Sequence, residues 1–359
     1  MKKILIVANS VSMIDLFNRD NINILLDLGY KVYVGCNFEK GNITDNTRIN
    51  QFKNTLKNKS IEYFNLPIPR NPMNFFSILK SYRILLKVAK LNFTAVHCHS
   101  PIASVLTRIV FDKYRKSLKT KVIYSAHGFH FFKGSSFLSW LIYYPIEKIL
   151  SKKTDLILTI NQEDFNLAKS KFKTKVDYVP GVGIDINRFN QKIIFNEKKL
   201  IIKTKDSIFI GSIGQISKRK NHLAIIKALN FLKNPQIHYF IAGFGELEPK
   251  ILEYSKKNNL QDNIHVLGFI NDIPGFLNQM DIFAFPSLQE GLPVSLMEAM
   301  ASSKAIIASK IRGNIDLLGE DYQYYIEPLD YPNISKIINQ VMIKLKENQF
   351  ICFKNKDSV

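Results

Sequence analysis

Cysteine is scarce and carries no pattern. Cys36, Cys98 and Cys352 are the three in 359 residues, and their spacing frames neither a disulfide-stapled fold nor a metal site. Such usage fits a reducing, cytoplasmic compartment. Long apolar runs are missing too. No stretch approaches the roughly 20 apolar residues that a membrane-spanning helix needs. Residues 4–8, behind Lys2 and Lys3, are shorter than the apolar region of a secretory signal and read as a first buried strand. No Gly-x-Gly-x-x-Gly occurs. Gly243-Phe-Gly245 meets Glu248 where the third glycine would stand, which argues against a dinucleotide cofactor. No Asp-x-Asp occurs, so the usual acidic clamp for a metal-bound diphosphate is missing. Short-period repeats, low-complexity tracts and recognisable nucleic-acid-binding motifs are absent from the sequence as well.

Acidic residues are also in short supply. Thirty Asp and Glu face 50 Lys and Arg, a net charge of +20. The excess is uneven: residues 1–180 hold 28 basic and 12 acidic side chains, and residues 181–359 hold 22 and 18. The N-terminal half is therefore expected to face something anionic. Two segments there mix basic and apolar residues. Residues 70–91 interleave Phe75, Phe76, Leu79, Leu85 and Leu86 with Lys80, Arg83, Lys87 and Lys90. Residues 129–153 combine Phe131, Phe132, Phe137, Leu138, Trp140, Leu141, Tyr143 and Tyr144 with Lys133, Lys148, Lys152 and Lys153. Such mixtures suit an anionic membrane surface. They also suit core-packed helices with solvated lysines, and the sequence leaves both readings open. Basic charge without a motif argues for no nucleic-acid partner.

Apolar content of 46% and the chain length allow two cores. Residues 4–8, 32–35, 95–97, 122–125 and 156–160 read as short strands separated by helical segments. Residues 207–213, 237–242, 264–267, 282–285 and 305–308 repeat the pattern. This alternation predicts an α/β chain of two Rossmann-like domains, each built on a doubly wound parallel sheet. The expected domains are 1–180 and 205–359. Residues 181–204, irregular and then polar with Asn187, Asn190 and Asn196, form the expected linker leading into the second.

Residues 281–309 are the richest in chemistry. An apolar strand ends near Phe285, Glu290 follows in the turn, and Pro293 is expected at the first helical position. Glu298 lies about a turn and a half into that helix. The amides of residues 292–295 then point out of the helix N-terminus and make an anion site. Open α/β sheets bind ligands at this edge. A diphosphate held there, with an acid gripping hydroxyls on either side, has the layout of a nucleotide sugar. Two surface glutamates flanking an ordinary helix is the plainer alternative. Lys218, Arg219 and Lys220 follow an earlier strand and supply cations for a departing diphosphate.

This segment resembles the nucleotide-sugar signature of glycosyltransferase family 4, whose members have the GT-B fold. Gly211-Ser-Ile-Gly-Gln-Ile-Ser-Lys-Arg-Lys-Asn221 resembles that family's phosphate loop, and Ile241-Ala-Gly-Phe-Gly-Glu246 its middle strand and turn. Val266-Leu-Gly-Phe-Ile270 resembles the base-facing strand, and Val179-Pro-Gly-Val-Gly-Ile-Asp-Ile-Asn-Arg-Phe189 the segment entering the linker. The stretch 124–164, with His-Gly-Phe-His-Phe-Phe-Lys-Gly and Tyr-Tyr-Pro-Ile-Glu-Lys, resembles enzymes of bacterial capsule and exopolysaccharide assembly.

The resemblance implies an N-terminal acceptor domain, a C-terminal donor domain and a cleft between them. It implies a retaining transfer from a nucleotide sugar, with UDP-hexose or UDP-N-acetylhexosamine ahead of GDP-mannose as donor. The implied acceptor is a sugar on polyprenyl diphosphate. No cofactor or metal is expected, and the enzyme is placed at the cytoplasmic face of the membrane, peripherally bound. Glu290, His127 and Lys220 are the implied catalytic residues. Donor contacts fall to Gly214, Gln215, Lys218, Arg219, Lys220, Gly243, Phe269, Ile270, Glu290, Gly291, Leu292, Pro293, Val294, Ser295 and Glu298. Glu290 is assigned to the transferred sugar and Glu298 to the ribose. Many family members carry an arginine after the loop glycine; here Gln215 follows Gly214, and Arg219 or Lys218 is expected to replace that charge. His99, Phe129 and His130 are assigned to acceptor contact and His97 to packing. The family's last helix crosses back onto the N-terminal domain. Here a helix from about residue 333 to 346 precedes only residues 348–359, so that closing helix is expected to be absent or very short. A nucleotide-sugar epimerase of GT-B fold and a catalytically inactive membrane-surface protein are the alternative functions.

Overall fold

The computed structural model of the chain describes residues 2–42, 44–189, 195–197 and 200–347. Asn190 of the expected linker, Cys352 and the expected short closing segment 348–359 lie outside the described residues. The chain divides into two compact units, Met1–Val182 and Gly183–Val359.

In the first unit β1 (Lys3–Ser10) leads through α1 (Val11–Phe17) and α2 (Arg19–Asp27) to β2 (Lys31–Asn37). Then come α3 (Asn46–Asn58), β3 (Glu62–Asn65), α4 (Phe75–Ala89), β4 (Ala95–His99), α5 (Pro101–Lys113) and α6 (Arg115–Leu118). The unit closes with β5 (Lys121–Ala126), α7 (Phe137–Ser151), β6 (Leu156–Thr159), α8 (Gln162–Lys171) and β7 (Lys175–Tyr178). All seven strands are parallel, in the order β3-β2-β1-β4-β5-β6-β7. The central strands are apolar on both faces because helices cover both. The order reverses at β1, so the crevice beyond the carboxyl ends of β1 and β4 is this unit's switch point.

The second unit opens on a short 3-10 helix, Ile186–Phe189. It continues through β8 (Ile208–Ile213), α9 (His222–Leu232), β9 (Ile237–Ala242), α10 (Glu248–Lys257), β10 (Ile264–Gly268) and α11 (Ile273–Gln279). There follow β11 (Ile282–Phe285), α12 (Val294–Ala301), β12 (Ala305–Ser309), α13 (Arg312–Leu318), β13 (Tyr325–Ile326) and α14 (Tyr331–Lys346). Its six parallel strands run β10-β9-β8-β11-β12-β13, with apolar cores on both faces. The reversal here falls between β8 and β11. Ten strands match the sequence reading. The three it lacks, β3, β7 and β13, are all at sheet edges.

Among the described residues no helix is long and apolar enough to cross a membrane. The aromatic segments divide between core and surface. Phe131 is wholly buried, and Trp140, Tyr143 and Tyr144 pack against the same core. Phe137, Leu138, Leu141 and Ile149 on α7 are exposed, as are Met73, Phe75 and Phe76 around the start of α4. Both helices touch α5 and share its core.

Helix α7 carries an internal proline, Pro145, which forfeits a backbone hydrogen bond. A buried ion pair ties the helix down two residues later. The Arg108 guanidinium of α5, wholly buried, donates to the Glu147 carboxylate at 2.7 and 3.0 Å and lies 4.2 Å from the Tyr124 ring centroid. Its Nε and Nη2 donate to Ser104 of its own helix. Glu147 thus does a structural job within the Tyr-Tyr-Pro-Ile-Glu-Lys stretch. Arg108→Ala, which strands the carboxylate, is expected to destabilise the protein by about 3–5 kcal/mol, whereas Arg108→Met with Glu147→Leu recovers most of that loss. Thermal unfolding of the three proteins checks this; an unchanged Tm in Arg108→Ala would show the pair to be incidental.

Candidate functional site

The loops that leave β8 and β11 at their carboxyl ends are bound to each other. Leu288 N–H donates to Arg219 O at 2.8 Å, and Arg219 Nη1 to Gln289 O at 3.0 Å. Asn221, left-handed at the start of α9, reaches Pro286 O at 3.2 Å and Pro328 O at 2.9 Å with its amide. The β8 loop is also pressed against the turn after β9. Gly243 has φ +159°, and a Cβ there would lie 1.9 Å from Gly214 O. Gly214, at φ +149°, leaves room for the Lys220 stem. Gly243 is therefore required by the close crossing of two backbones, and Gly214 by its left-handed φ and the lysine stem beside it.

Into this junction the two loops send opposite charges. Glu290 Oε1 lies 2.8 Å from both Arg219 Nη1 and Lys220 Nζ. Glu290 is buried and Lys220 nearly so, its ammonium 4.6 Å from the Phe285 ring centroid. Burial raises the Glu290 carboxyl, but Lys220 and Arg219 more than offset it and hold the group below the ordinary carboxylate range. Burial lowers the Lys220 ammonium, and Glu290 restores part of the shift. Of the two residues weighed as a replacement for the missing loop arginine, Arg219 pairs with Glu290; both it and Lys218 are exposed, as is Gln215.

Helix α12 starts beside this cluster. Pro293 is its N-cap, with ψ 116°, rather than its first helical residue as expected. The extended ψ lets the chain leave the Gly291–Leu292 turn before winding. No side chain caps the helix, so its first amides, Val294 and Ser295 among them, keep their positive end for another acceptor. Glu298, further along α12, is part-buried; burial raises it to about 7, with Arg188 of the 3-10 helix pulling it back. Phe269 is exposed after β10, whereas Ile270 is in the core.

Three neighbours escaped the sequence reading. Arg312 Nε donates to Glu290 O at 3.2 Å, and a Cβ on Gly313 would lie 2.1 Å from Gly291 O. His222, the first residue of α9, is buried beside Lys220 and bonded through Nδ1 to Tyr239 Oη at 3.1 Å. Arg312 and Gly313 act across 22 residues of chain, and no local pattern marks them. Asn221 and His222 sit at a recognisable helix start, which could have drawn attention.

In the first unit, histidines gather at the ends of β4 and β5. His97 Nε2 meets Ser125 Oγ at 2.8 Å, and His99 Nδ1 meets His127 Nε2 at 3.0 Å. The acceptor assignments change here. His99 is only 2% exposed, so it backs His127 rather than lining a surface. Phe129 is a core residue, stacked on Phe131, with its N–H donating to Asp164 at 2.8 Å. Its backbone turns it inward. His130 is exposed and stacks on Tyr143 with centroids 4.7 Å apart. His97 is packed, as expected.

The raised carboxyl of Glu298 has a signed consequence. A carboxyl whose folded pKa exceeds its ordinary 4.5 favours folding at low pH and loses that contribution as pH rises through about 7. Glu298→Gln is expected to raise Tm at pH 8 and to leave it unchanged near pH 4. Equal shifts at both pH values would refute the raised pKa.

Comparison with known proteins agrees with this geometry. Residues 3–161 match the family model described as glycosyl transferase 4-like, and residues 194–351 that of glycosyl transferases group 1. EpsD of Bacillus subtilis (strain 168), assigned as a glycosyltransferase, is 32% identical over 265 residues, which cover 72% of this chain and 69% of EpsD. The UDP-Gal:alpha-D-GlcNAc-diphosphoundecaprenol alpha-1,3-galactosyltransferase of Escherichia coli is 26% identical over 295 residues, 78% of this chain and 74% of that one. The crystal structure of Anabaena HepE in complex with UDP and glucose superposes with a TM-score of 0.69 at 17% identity, covering 97% and 92% of the two chains, a likeness of fold. The chain is a glycosyltransferase: it belongs to the group 1, family 4-like enzymes of GT-B fold.

Proposed function

We propose that this enzyme transfers a hexose or N-acetylhexosamine from a nucleotide sugar, a UDP-sugar, to a saccharide carried on polyprenyl diphosphate, with retention of configuration, in bacterial surface-polysaccharide assembly. The observation that carries the reading is the Arg219–Glu290–Lys220 cluster across the β8/β11 switch point, next to the uncapped start of α12. A diphosphate suits Lys220, Arg219 and the amides near Val294 and Ser295. Glu290 then turns from its cations to sugar hydroxyls, and Glu298 receives the ribose hydroxyls. The nucleotide departs and the acceptor hydroxyl attacks on the same face; the charge that develops on the diphosphate is met by these donors without a metal. The acceptor class is supported by the undecaprenol-linked substrate in the name of the E. coli relative, and the nucleotide by that name and by the UDP-bound HepE.

A membrane-borne acceptor also suits the first unit. We take exposed Phe75 and Phe76 on α4 and Phe137, Leu138 and Leu141 on α7, with Lys133, Lys148 and Lys152 nearby in the chain, to make an apolar and basic face. Such a face binds an anionic bilayer peripherally.

The donor reading is tested by thermal stabilisation with UDP, GDP, ADP and NAD in EDTA. UDP is expected to raise Tm and the others to raise it less. Lys220→Ala and Glu290→Gln are expected to lower kcat by roughly 10²–10³-fold with folding intact; wild-type turnover in both would sink the assignment. The membrane reading is tested by co-sedimentation with phosphatidylglycerol vesicles. Binding is expected to weaken with salt and in a Phe76→Ser, Phe137→Ser, Leu141→Ser variant; equal binding to neutral vesicles would remove the electrostatic part.

A further inference from the structure

His99 and His127 meet nitrogen to nitrogen, Nδ1 of His99 against Nε2 of His127 at 3.0 Å. One of the two donates, and a neutral imidazole has a single N–H. Burial keeps the rings neutral near pH 7: His97 and His127 are lowered to about 4, and His99 is driven well below its ordinary value by burial and by its two histidine neighbours. The other nitrogen of His99, Nε2, is buried and meets no hydrogen-bond partner. Two arrangements satisfy the contact. If His127 donated, the proton of His99 would sit on Nε2 as a buried N–H with nothing to accept it. If His99 donates, Nε2 is a bare lone pair. A buried, unmatched donor costs roughly 1–3 kcal/mol, and orphaned N–H groups are rarer in folded proteins than under-used acceptors.

We propose that His99 is the positioning residue that locks His127 in the Nδ1–H tautomer, so that this ring presents a hydrogen-bond donor to an oxygen of the bound sugar. The sugar contact rests on the function proposed above; the tautomer does not. His99 is held for this task from behind. His97, two residues earlier on the same face of β4, lies against it with ring centroids 4.2 Å apart and is itself anchored to Ser125. His127 is only part-buried, and with Nε2 engaged its Nδ1 is the ring nitrogen left for a ligand.

Long-range ¹H–¹⁵N spectra of the histidine-labelled full-length protein read the tautomer directly. The expected result is a protonated Nδ1 and a bare Nε2 on His127; an Nε2–H would overturn the proposal. In His99→Leu the His127 signals are expected to show a mixture of tautomers. His99→Asn, whose amide can donate from near the Nδ1 position, is expected to retain kcat/KM, while His99→Leu loses roughly 10-fold or more, the scale seen when a partner that orients a functional imidazole is removed. Equal losses in the two variants, with equal falls in Tm, would reduce His99 to packing. The spectrum needs no substrate, so Nδ1–H in an enzyme without transfer activity would support the tautomer and count against the function.

Discussion

The second unit is organised around one buried carboxylate held between two cations. Glu290 can be buried only because Lys220 and Arg219 face it, and Lys220 can be buried only because Glu290 does. Such a cluster is a poor source of stability, since desolvation takes back most of what the charges gain. Its placement needs much of the surrounding structure. Gly214 makes room for the lysine stem, Gly243 lets two backbones cross, and Asn221 and Leu288 fasten one loop to the other. Gly313 and Arg312 brace the Glu290 turn from the next helix. A protein that wanted only stability would fill this junction with apolar residues. Charges kept here at such structural expense fit the donor site proposed above.

Much of this was legible in the sequence. Central strands of parallel sheets are apolar on both faces, so segments such as 282–285 and 237–242 stand out as continuous runs. The edge strands do not. In β3 and β7 most side chains are exposed or part-exposed, and β13 has two residues. They pair because a neighbour offers a ladder, and their own residues give little sign of it. Glu290, Lys220 and the glycines were visible as residue types at a turn. Their mutual contact was not, because 70 residues separate the partners and only the strand order brings β8 beside β11. His99 and Phe129 show the opposite limit. Polar or aromatic character at a strand end looks like a site, but whether the side chain faces out or in is set by the pleat and by the turn that follows, which the sequence states weakly.

The first unit divides its basic charge by depth. Arg108, among the largest fully buried side chains, is matched by Glu147 and holds a proline-containing helix in place. Most of its described lysines are exposed, and those on α4 and α7 lie on the same helices as apolar side chains that no core absorbs. Trp140, Tyr143 and Tyr144 point the other way, into the core. One helix thus presents an aromatic inner face and an apolar outer one of Phe137, Leu138 and Leu141, which explains why its composition supported both a core reading and a membrane reading.

The two units share an architecture and differ in what they place near the switch point. The second concentrates charge there; the first places imidazoles that burial keeps uncharged. Under the function proposed above, that difference serves an enzyme whose two substrates each carry a diphosphate. A cationic cluster attracts a diphosphate by charge and holds it strongly. A neutral ring pair offers direction without net charge, so it orients hydroxyls while giving an anion little reason to bind in the wrong place. The tautomer then matters more than the pKa, because a neutral imidazole recognises its partner only through which nitrogen carries the proton.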